Sequence, residues 1–223
     1  MKKTMIVPCL TKETGVVFGH NDETCSINCV YAISEMSISD FDEIYFAVLS
    51  EMDETYHLTE KISADMNRLP SFTGDFRVIR IPLMTQSPAE TVYRAIQSIG
   101  SDYRSLFIKD GDNMFSNQSI PFGNAVMTSS LEETTLVDPV HKSYVKLDEQ
   151  GFITNAIEKR VISDKFIAGG YSFENANDFK EAYEGLKNIS DKFYISDVIF
   201  WLILNKNAKF LPVKAKDFKD FNV

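Results

Sequence analysis

The sequence has few cysteines, no long apolar run and no excess of positive charge, and each of these absences excludes a class of protein. Its 223 residues include only three cysteines, an odd and sparse set that does not form a disulfide framework. We therefore expect reduced thiols in a cytoplasmic protein. The longest apolar run, residues 198–204, is far shorter than the ~20 residues of a membrane-spanning helix. No apolar segment follows the charged N-terminus, so we do not expect a secretory signal.

The charge balance excludes two kinds of partner. Lys and Arg number 23 against 32 Asp and Glu, which gives a formal net charge of −9. This charge repels nucleic acid and anionic membranes, so we expect neither as a partner. The remaining composition, with 44% hydrophobic and 25% charged residues, is typical of a globular protein with a sizeable core.

The order of predicted elements indicates an α/β protein. Strands are predicted at residues 4–9, 43–49, 76–81 and 106–108, and they alternate with helices at 26–36, 56–69 and 88–99. This alternation predicts a parallel, doubly wound sheet. From about residue 122 the pattern is mixed, with strands at 124–130, 143–147, 152–158, 165–173 and 209–213 and helices at 176–187 and 196–205. We predict one domain over residues 1–223, with a Rossmann-like, mainly parallel mixed sheet and helices on both faces.

The strongest local feature is the run Asp110-Gly111-Asp112-Asn113, directly after the strand at 106–108. Ligands of open α/β sheets collect outside the carboxyl ends of the strands. Two acidic side chains beside a glycine can hold a hard divalent cation, and Mg²⁺ takes only one or two carboxylates together with phosphates and water. The alternative is a turn rich in Asp and Asn that binds no ligand.

Four further segments accompany this run in a fixed order. A loop at residues 85–91 enters a helix, and Glu158-Lys159 ends a predicted strand, where a lysine could meet a phosphate. The next predicted strand carries Gly170-Tyr171-Ser172-Phe173, and Ser196-Asp197 begins a helix.

Taken together, these segments resemble the sugar-phosphate nucleotidyltransferases, also called nucleoside-diphosphate-sugar pyrophosphorylases, which have a GT-A-like Rossmann-type fold. The resemblance covers roughly residues 4–220. Residues 87–91 resemble the loop and helix start that flank the nucleotide base, and Gly111-Asp112-Asn113 resembles the metal-binding turn. Residues 146–159 resemble the hairpin that ends in a Glu-Lys pair. The resemblance implies a nucleotide-binding half at 1–121 and a sugar-phosphate half at 122–223.

The family's chemistry implies a role for individual residues. A sugar-1-phosphate oxygen attacks the α-phosphate of a nucleoside triphosphate and pyrophosphate leaves, so catalysis is mostly positioning and electrostatic stabilisation. By resemblance, Asp112 and Asp220 bind Mg²⁺, Asp112 and Lys159 are catalytic, and Lys159 holds the acceptor phosphate. The nucleotide and acceptor contacts implied are Lys12, Pro88, Ala89, Glu90, Thr91 and Gly111 for the nucleotide, and Glu158, Lys159, Gly170 and Tyr171 for the acceptor. The implied product serves capsule or other surface-polysaccharide synthesis.

The first loop departs from the family pattern, and this departure leaves alternatives open. Residues 10–21 contain two glycines and one lysine but no arginine, so Lys12 is the nearest substitute for the family's loop cations. One alternative is a GT-A glycosyltransferase, because Asp110-Gly111-Asp112 suits a nucleotide sugar equally well. Another is a non-catalytic protein that binds nucleotide sugars on the same fold. The apolar segment around Trp201 is expected to pack against the sheet, with a homo-oligomer contact as the alternative.

Overall fold

The structure is a computed structural model that describes residues 1–10, 14–21, 26–100, 104–117, 119–134 and 137–222. Its strands are β1 (Lys2–Pro8), β2 (His20–Asn21), β3 (Ser26–Ile27), β4 (Glu43–Leu49), β5 (Asp75–Ile81), β6 (Arg104–Lys109), β7 (Asn113–Ser116), β8 (Ala125–Ser130), β9 (Tyr144–Leu147), β10 (Ile153–Ile157), β11 (Lys165–Phe173), β12 (Leu211–Lys214) and β13 (Lys216–Asp220). Its α-helices are α1 (Thr14–Phe18), α2 (Asn28–Ser34), α3 (Ser50–Tyr56), α4 (Leu58–Met66), α5 (Pro88–Ile99), α6 (Ala176–Lys187) and α7 (Ile195–Lys206).

Within these described ranges, nine strands form one mixed sheet. Its central path runs β10-β9-β11-β6-β1-β4-β5, with β8 paired to β11 and β12 paired to β8. The four strands β5, β4, β1 and β6 are parallel, whereas β11 is antiparallel to β6. The predicted Rossmann-like α/β fold is therefore confirmed. The β6–β11 pairing also joins the two predicted halves in a single sheet.

Alternating side chains of the central strands enter two hydrophobic cores, one on each face of the sheet. Met5 and Val7 of β1 belong to the core that contains α2 and α4, whereas Ile6 belongs to the core that contains α5, α6 and α7. Strands β4 and β6 are buried along their whole length. Burial on both faces is typical of parallel strands covered by helices, and it explains the nearly continuous apolar sequence of β4.

The helix predicted at 56–69 is present as α4, and a second helix that was not predicted, α3, lies directly before it. Helix α3 ends and α4 begins at His57, which has a left-handed backbone with φ of 52°. The buried carboxylate of Asp53 causes this break, because it accepts hydrogen bonds from the backbone N–H and hydroxyl of Thr59 at 2.6 and 2.8 Å. Arg80 of β5 pairs with the same carboxylate at 2.6 Å.

Helix α7 packs against helix α6 through its tryptophan. A Cβ added at Gly185 would lie 2.8 Å from the Trp201 ring, so the glycine provides the space that the indole occupies. Trp201 is half-buried, and it packs against the core that contains α5, α6 and α7. Among the helices of the described residues, none has both the length and the apolar character needed to cross a membrane.

Candidate functional site

A cleft of about 290 Å³ opens at the carboxyl ends of β1 and β6. This is the edge at which ligands of open α/β sheets bind. Both apolar side chains and carboxylates line the cleft. The lining residues are Pro8, Leu10, Val16, Val17, Pro88, Asp110, Gly111, Asp112, Asn113, His141, Lys142, Ser143, Glu158, Ile167, Gly169, Tyr171, Tyr194, Ile195 and Asn222.

The floor of the cleft is the turn from Asp110 to Asn113, which lies between β6 and β7. The backbone N–H of Asp110 donates to the carbonyl of Gly169 at 2.8 Å, which ties the turn to β11. An added Cβ at Gly111 would lie 3.3 Å from the Cβ of Cys29 and from a methyl of Val17, so a side chain there would require these neighbours to shift by a few tenths of an ångström. The turn therefore sits directly on the core below it.

The two predicted metal ligands, Asp112 and Asp220, lie next to each other although 108 positions separate them in the sequence. Strand β13 pairs with β7, with Asp220 opposite Asn113. The side-chain amide of Asn222 donates to both carboxylates, at 3.3 Å to Asp112 and 2.9 Å to Asp220. The backbone N–H of Phe221 also donates to the Asp112 carbonyl at 2.9 Å. The two carboxylates thus share one neutral donor.

The carboxylate of Asp220 already has a cationic partner. Lys142 pairs with it at 2.5 Å, and the side chains of Lys142 and Asp220 are 13% and 3% exposed. Burial alone would raise the pKa of Asp220, but the hydrogen bonds from Lys142 and Asn222 outweigh burial and lower this pKa below its usual value. In contrast, the hydrogen bonds that Asp112 accepts come from the amides of Asn113 and Asn222.

The second acid of the turn, Asp110, lies against Tyr171 of β11. The tyrosine hydroxyl donates to its carboxylate at 3.2 Å. Burial, followed by the neighbouring charge of Asp112, raises the pKa of Asp110 to about 7. Burial also raises the pKa of Tyr171 well above its usual value, so its hydroxyl keeps its proton. Gly170, next to it, leaves no room for a side chain, because a Cβ would lie 2.4 Å from Met127.

Glu158, which follows the predicted hairpin of β9 and β10, also lines the cleft. The hydroxyls of Ser143 and Ser196 both donate to one of its carboxylate oxygens, the latter at 3.3 Å. Burial raises the pKa of Glu158. Lys159 is exposed, and its ammonium lies 5.6 Å from the ring centroid of Tyr194, which lines the cleft.

The predicted base-flanking segment begins α5. Pro88 lines the cleft and occupies the first turn of the helix. Ala89 is fully buried, and the Thr91 hydroxyl contacts that of Thr85 at 2.7 Å. The Glu90 carboxylate accepts a hydrogen bond from the backbone N–H of Gln86 at 2.7 Å and pairs with Arg94 at 2.6 Å. Lys12, predicted as a nucleotide contact, lies outside the described residues.

Several polar residues of the site were missed by the sequence-based analysis. The residues concerned are Lys109, Lys142, Ser143 and Asn222. Lys109 follows the apolar run of β6 directly before an acidic turn, but a surface lysine can have the same sequence context. No local pattern marks Asn222, because its place depends on the pairing of β13 with β7.

The oxygen ligands present suit Mg²⁺, which needs only one or two carboxylates and completes its shell with phosphate and water. The described residues contain no cluster of three or more His, Cys, Asp or Glu side chains that could enclose a metal alone. Asp112 is the carboxylate best placed to hold such an ion, because it faces the cleft and its hydrogen-bond donors are neutral.

Three solved structures of nucleotidyltransferases share the fold of this chain. Among solved structures, the nucleoside-diphosphate-sugar pyrophosphorylase from Vibrio cholerae RC9 has a TM-score of 0.67 at 16% identity, covering 99% of this chain and 96% of that one. The inositol-1-phosphate CTP transferase from T. maritima also has a TM-score of 0.67, at 14% identity and with coverage of 98% and 87%.

A third solved structure, a provisionally named glucose-1-phosphate thymidylyltransferase from Bacillus anthracis in complex with sucrose, has a TM-score of 0.67 at 16% identity, with coverage of 99% and 89%. At these identities the likeness establishes the fold of this chain. No family model matches the sequence, and no curated protein matches it.

Proposed function

We propose that this protein is a Mg²⁺-dependent nucleotidyltransferase that joins a nucleoside triphosphate to a sugar-1-phosphate or a similar small phosphate. One observation carries the proposal. Asp112 and Glu158 come from opposite halves of the chain and line the same cleft, at the ligand-binding edge of a nucleotidyltransferase fold. Two solved structures of this fold are named for transfer to inositol-1-phosphate and to glucose-1-phosphate, which supports a nucleotide and a small phosphate as the substrate classes here.

The charge of the cleft explains the need for a divalent cation. Asp110, Asp112 and Glu158 all line it, and in their ionised forms these acids repel the phosphates of a nucleotide. When bound, Mg²⁺ offsets this repulsion and neutralises the charge that develops on the transferred phosphate. We assign Asp112 as its carboxylate ligand, with Asp220 and Asn222 beside it.

The acceptor is assigned to the Glu158 side of the cleft. Ser143 and Ser196 occupy one carboxylate oxygen of Glu158 and fix its orientation, so the other oxygen is available to sugar hydroxyls. Lys159 is not among the lining residues, but its ammonium lies 5.6 Å from the ring of Tyr194, which is one of them, and we assign it as the positive charge for the acceptor phosphate.

In the proposed reaction, an oxygen of the acceptor phosphate attacks the α-phosphorus of the triphosphate. A new P–O bond forms, and the bond from the α-phosphorus to the bridging oxygen breaks. Pyrophosphate leaves with that oxygen and a nucleotide sugar remains, which would serve as a donor for polysaccharide synthesis. The protein contributes mainly by placing the two phosphates in line.

The test is a two-stage assay. A thermal-shift screen of the four triphosphates, with and without Mg²⁺, selects the nucleotide, since a ligand of the native state raises the melting temperature. Pyrophosphate release is then measured against a panel of sugar-1-phosphates. Metal-dependent release supports the proposal. Transfer from a finished nucleotide sugar without pyrophosphate would instead indicate a glycosyltransferase, and binding without turnover across the panel would indicate a non-catalytic protein.

A further inference from the structure

Lys109 is a fully buried lysine at the end of β6, directly below the acidic turn. Its ammonium donates three hydrogen bonds, to the carbonyls of Asp110 and Asn113 at 2.7 and 2.8 Å and to the side-chain oxygen of Asn113 at 2.7 Å. All three acceptors are neutral oxygens. A buried charge is costly unless it is fully hydrogen-bonded, so these bonds fix the ammonium and the turn together.

The bond from Lys109 determines the orientation of the Asn113 amide. An ammonium has donors only, so the amide oxygen of Asn113 must face Lys109 and its NH₂ group must face away. That NH₂ group donates to the Asp112 carboxylate at 2.9 Å. A flip of the Asn113 side-chain amide would therefore break both hydrogen bonds.

The packing around Asn113 removes the remaining freedom of its side chain. Asn113 is 4% exposed. Gly169 has a φ of +74°, and a Cβ there would lie 2.4 Å from the Asn113 amide nitrogen. The bare backbone of β11 thus forms one wall of the pocket that holds the amide in place.

We propose that Lys109 is a positioning residue that, through Asn113, fixes the Asp112 carboxylate for a divalent cation. This inference rests on the proposed function. Hydrogen-bonded partners of a metal ligand orient it, and their loss typically weakens metal affinity about 10- to 100-fold. The expected consequence of losing the Lys109 ammonium is therefore weaker metal binding.

Arg104 offers a matched control for a purely structural role. It is a cation at the other end of the same strand, 9% exposed and paired with Glu43 at 3.0 Å. Replacing Arg104 or Lys109 by Met removes a largely buried charge from β6. Both changes are expected to lower the melting temperature, but only the change at Lys109 disturbs the contacts of Asp112.

The experiment titrates Mn²⁺ alone into the wild-type protein and its variants, with the free ion followed by electron paramagnetic resonance. Lys109→Met is expected to weaken Mn²⁺ binding about 10- to 100-fold, and Arg104→Met to leave it unchanged. Asn113→Leu keeps the branched shape and the two backbone acceptors of Lys109 but removes the donor to Asp112. It is expected to weaken binding in the same way, and it decides the question if Lys109→Met does not fold.

The outcomes separate this inference from the proposed function. Wild-type affinity in Lys109→Met and Asn113→Leu would overturn the positioning role, as would an equal loss of affinity in Arg104→Met. If the wild type binds no Mn²⁺, or if Asp112→Asn binds it as well as the wild type, the metal assignment itself is wrong and the inference fails with it.

Discussion

The glycine at position 169 connects the fold to the acidic turn, and its replacement by alanine tests that connection. Gly169 has a left-handed backbone with φ of +74°, which costs an L residue about 1–2 kcal/mol. An added methyl would also lie 2.4 Å from the amide of Asn113, which Lys109 holds in place. Displacing a well-packed buried group costs a further ~1–3 kcal/mol.

Gly151 supplies the matched control. It has φ of +86°, but nothing lies within 4 Å of an added Cβ. Gly151→Ala therefore carries only the backbone cost, whereas Gly169→Ala carries about 3 kcal/mol in all. For a chain of this length each kcal/mol lowers the melting temperature by about 2–4 °C.

Thermal unfolding measures both variants. We expect Gly169→Ala to melt about 6–12 °C below the wild type, and Gly151→Ala to lose about half that or less. Pyrophosphate release should fall in Gly169→Ala and stay unchanged in Gly151→Ala. Equal melting temperatures and equal turnover in the two variants would refute the reasoning, because the contact with Asn113 is their main difference.

Three further predictions concern other charged groups. Glu158→Gln should raise the KM for the acceptor substrate about tenfold and have little effect on the KM for the nucleotide. The reason is that the charged carboxylate, which accepts hydrogen bonds from hydroxyls, is lost. An unchanged KM for the acceptor substrate would contradict this role of Glu158. Lys159→Ala should also raise the KM for the acceptor substrate, whereas Arg160→Ala, at the exposed neighbouring position, should leave it unchanged. Equal effects of the two variants would argue against a specific contact between Lys159 and the phosphate. Glu43→Gln should cost about 2 kcal/mol at pH 7, because Glu43 pairs with Lys2 and Arg104 and its pKa is lowered. That cost should be fully present above the unfolded-state pKa of about 4 and should be lost as the pH falls from there through the lower pKa of the folded carboxylate. A cost that does not change with pH in thermal melts would exclude the ion pairs as its origin.

The sequence was sufficient for the parts of the fold that local pattern controls. The buried apolar strands β1, β4 and β6 and the helix α5, with Ser87 accepting from Glu90 at its start, were all predicted within a few residues. The run of strands after residue 122 was also predicted, because each strand has its own apolar or turn-bounded pattern.

Elements that depend on distant partners could not be predicted locally. The break between α3 and α4 at His57 follows from the carboxylate of Asp53 in α3, whose partner Arg80 lies on strand β5. Strand β13 is polar and charged, and it exists because it pairs with β7 about a hundred residues earlier. The same pairing places Asn222 beside Asp112, which no neighbouring sequence signals.

The candidate site likewise has one part that could be predicted from the local sequence and one part that could not. The acidic turn was recognisable because two carboxylates and a glycine follow a buried strand. The contacts that support the turn could not be recognised from the sequence, because a lysine after an apolar strand can equally be a surface cation. Only the tertiary structure shows that Lys109 is buried and bonded to the turn.

The most direct test of the account is Mg²⁺-dependent pyrophosphate release by the wild type and by Asp112→Asn, with the nucleotide and acceptor that the screen selects. Asparagine keeps the size of the side chain but removes its charge, so the variant should fold with a melting temperature close to that of the wild type. The account predicts that its metal-dependent release falls to background. Undiminished release by Asp112→Asn would contradict it.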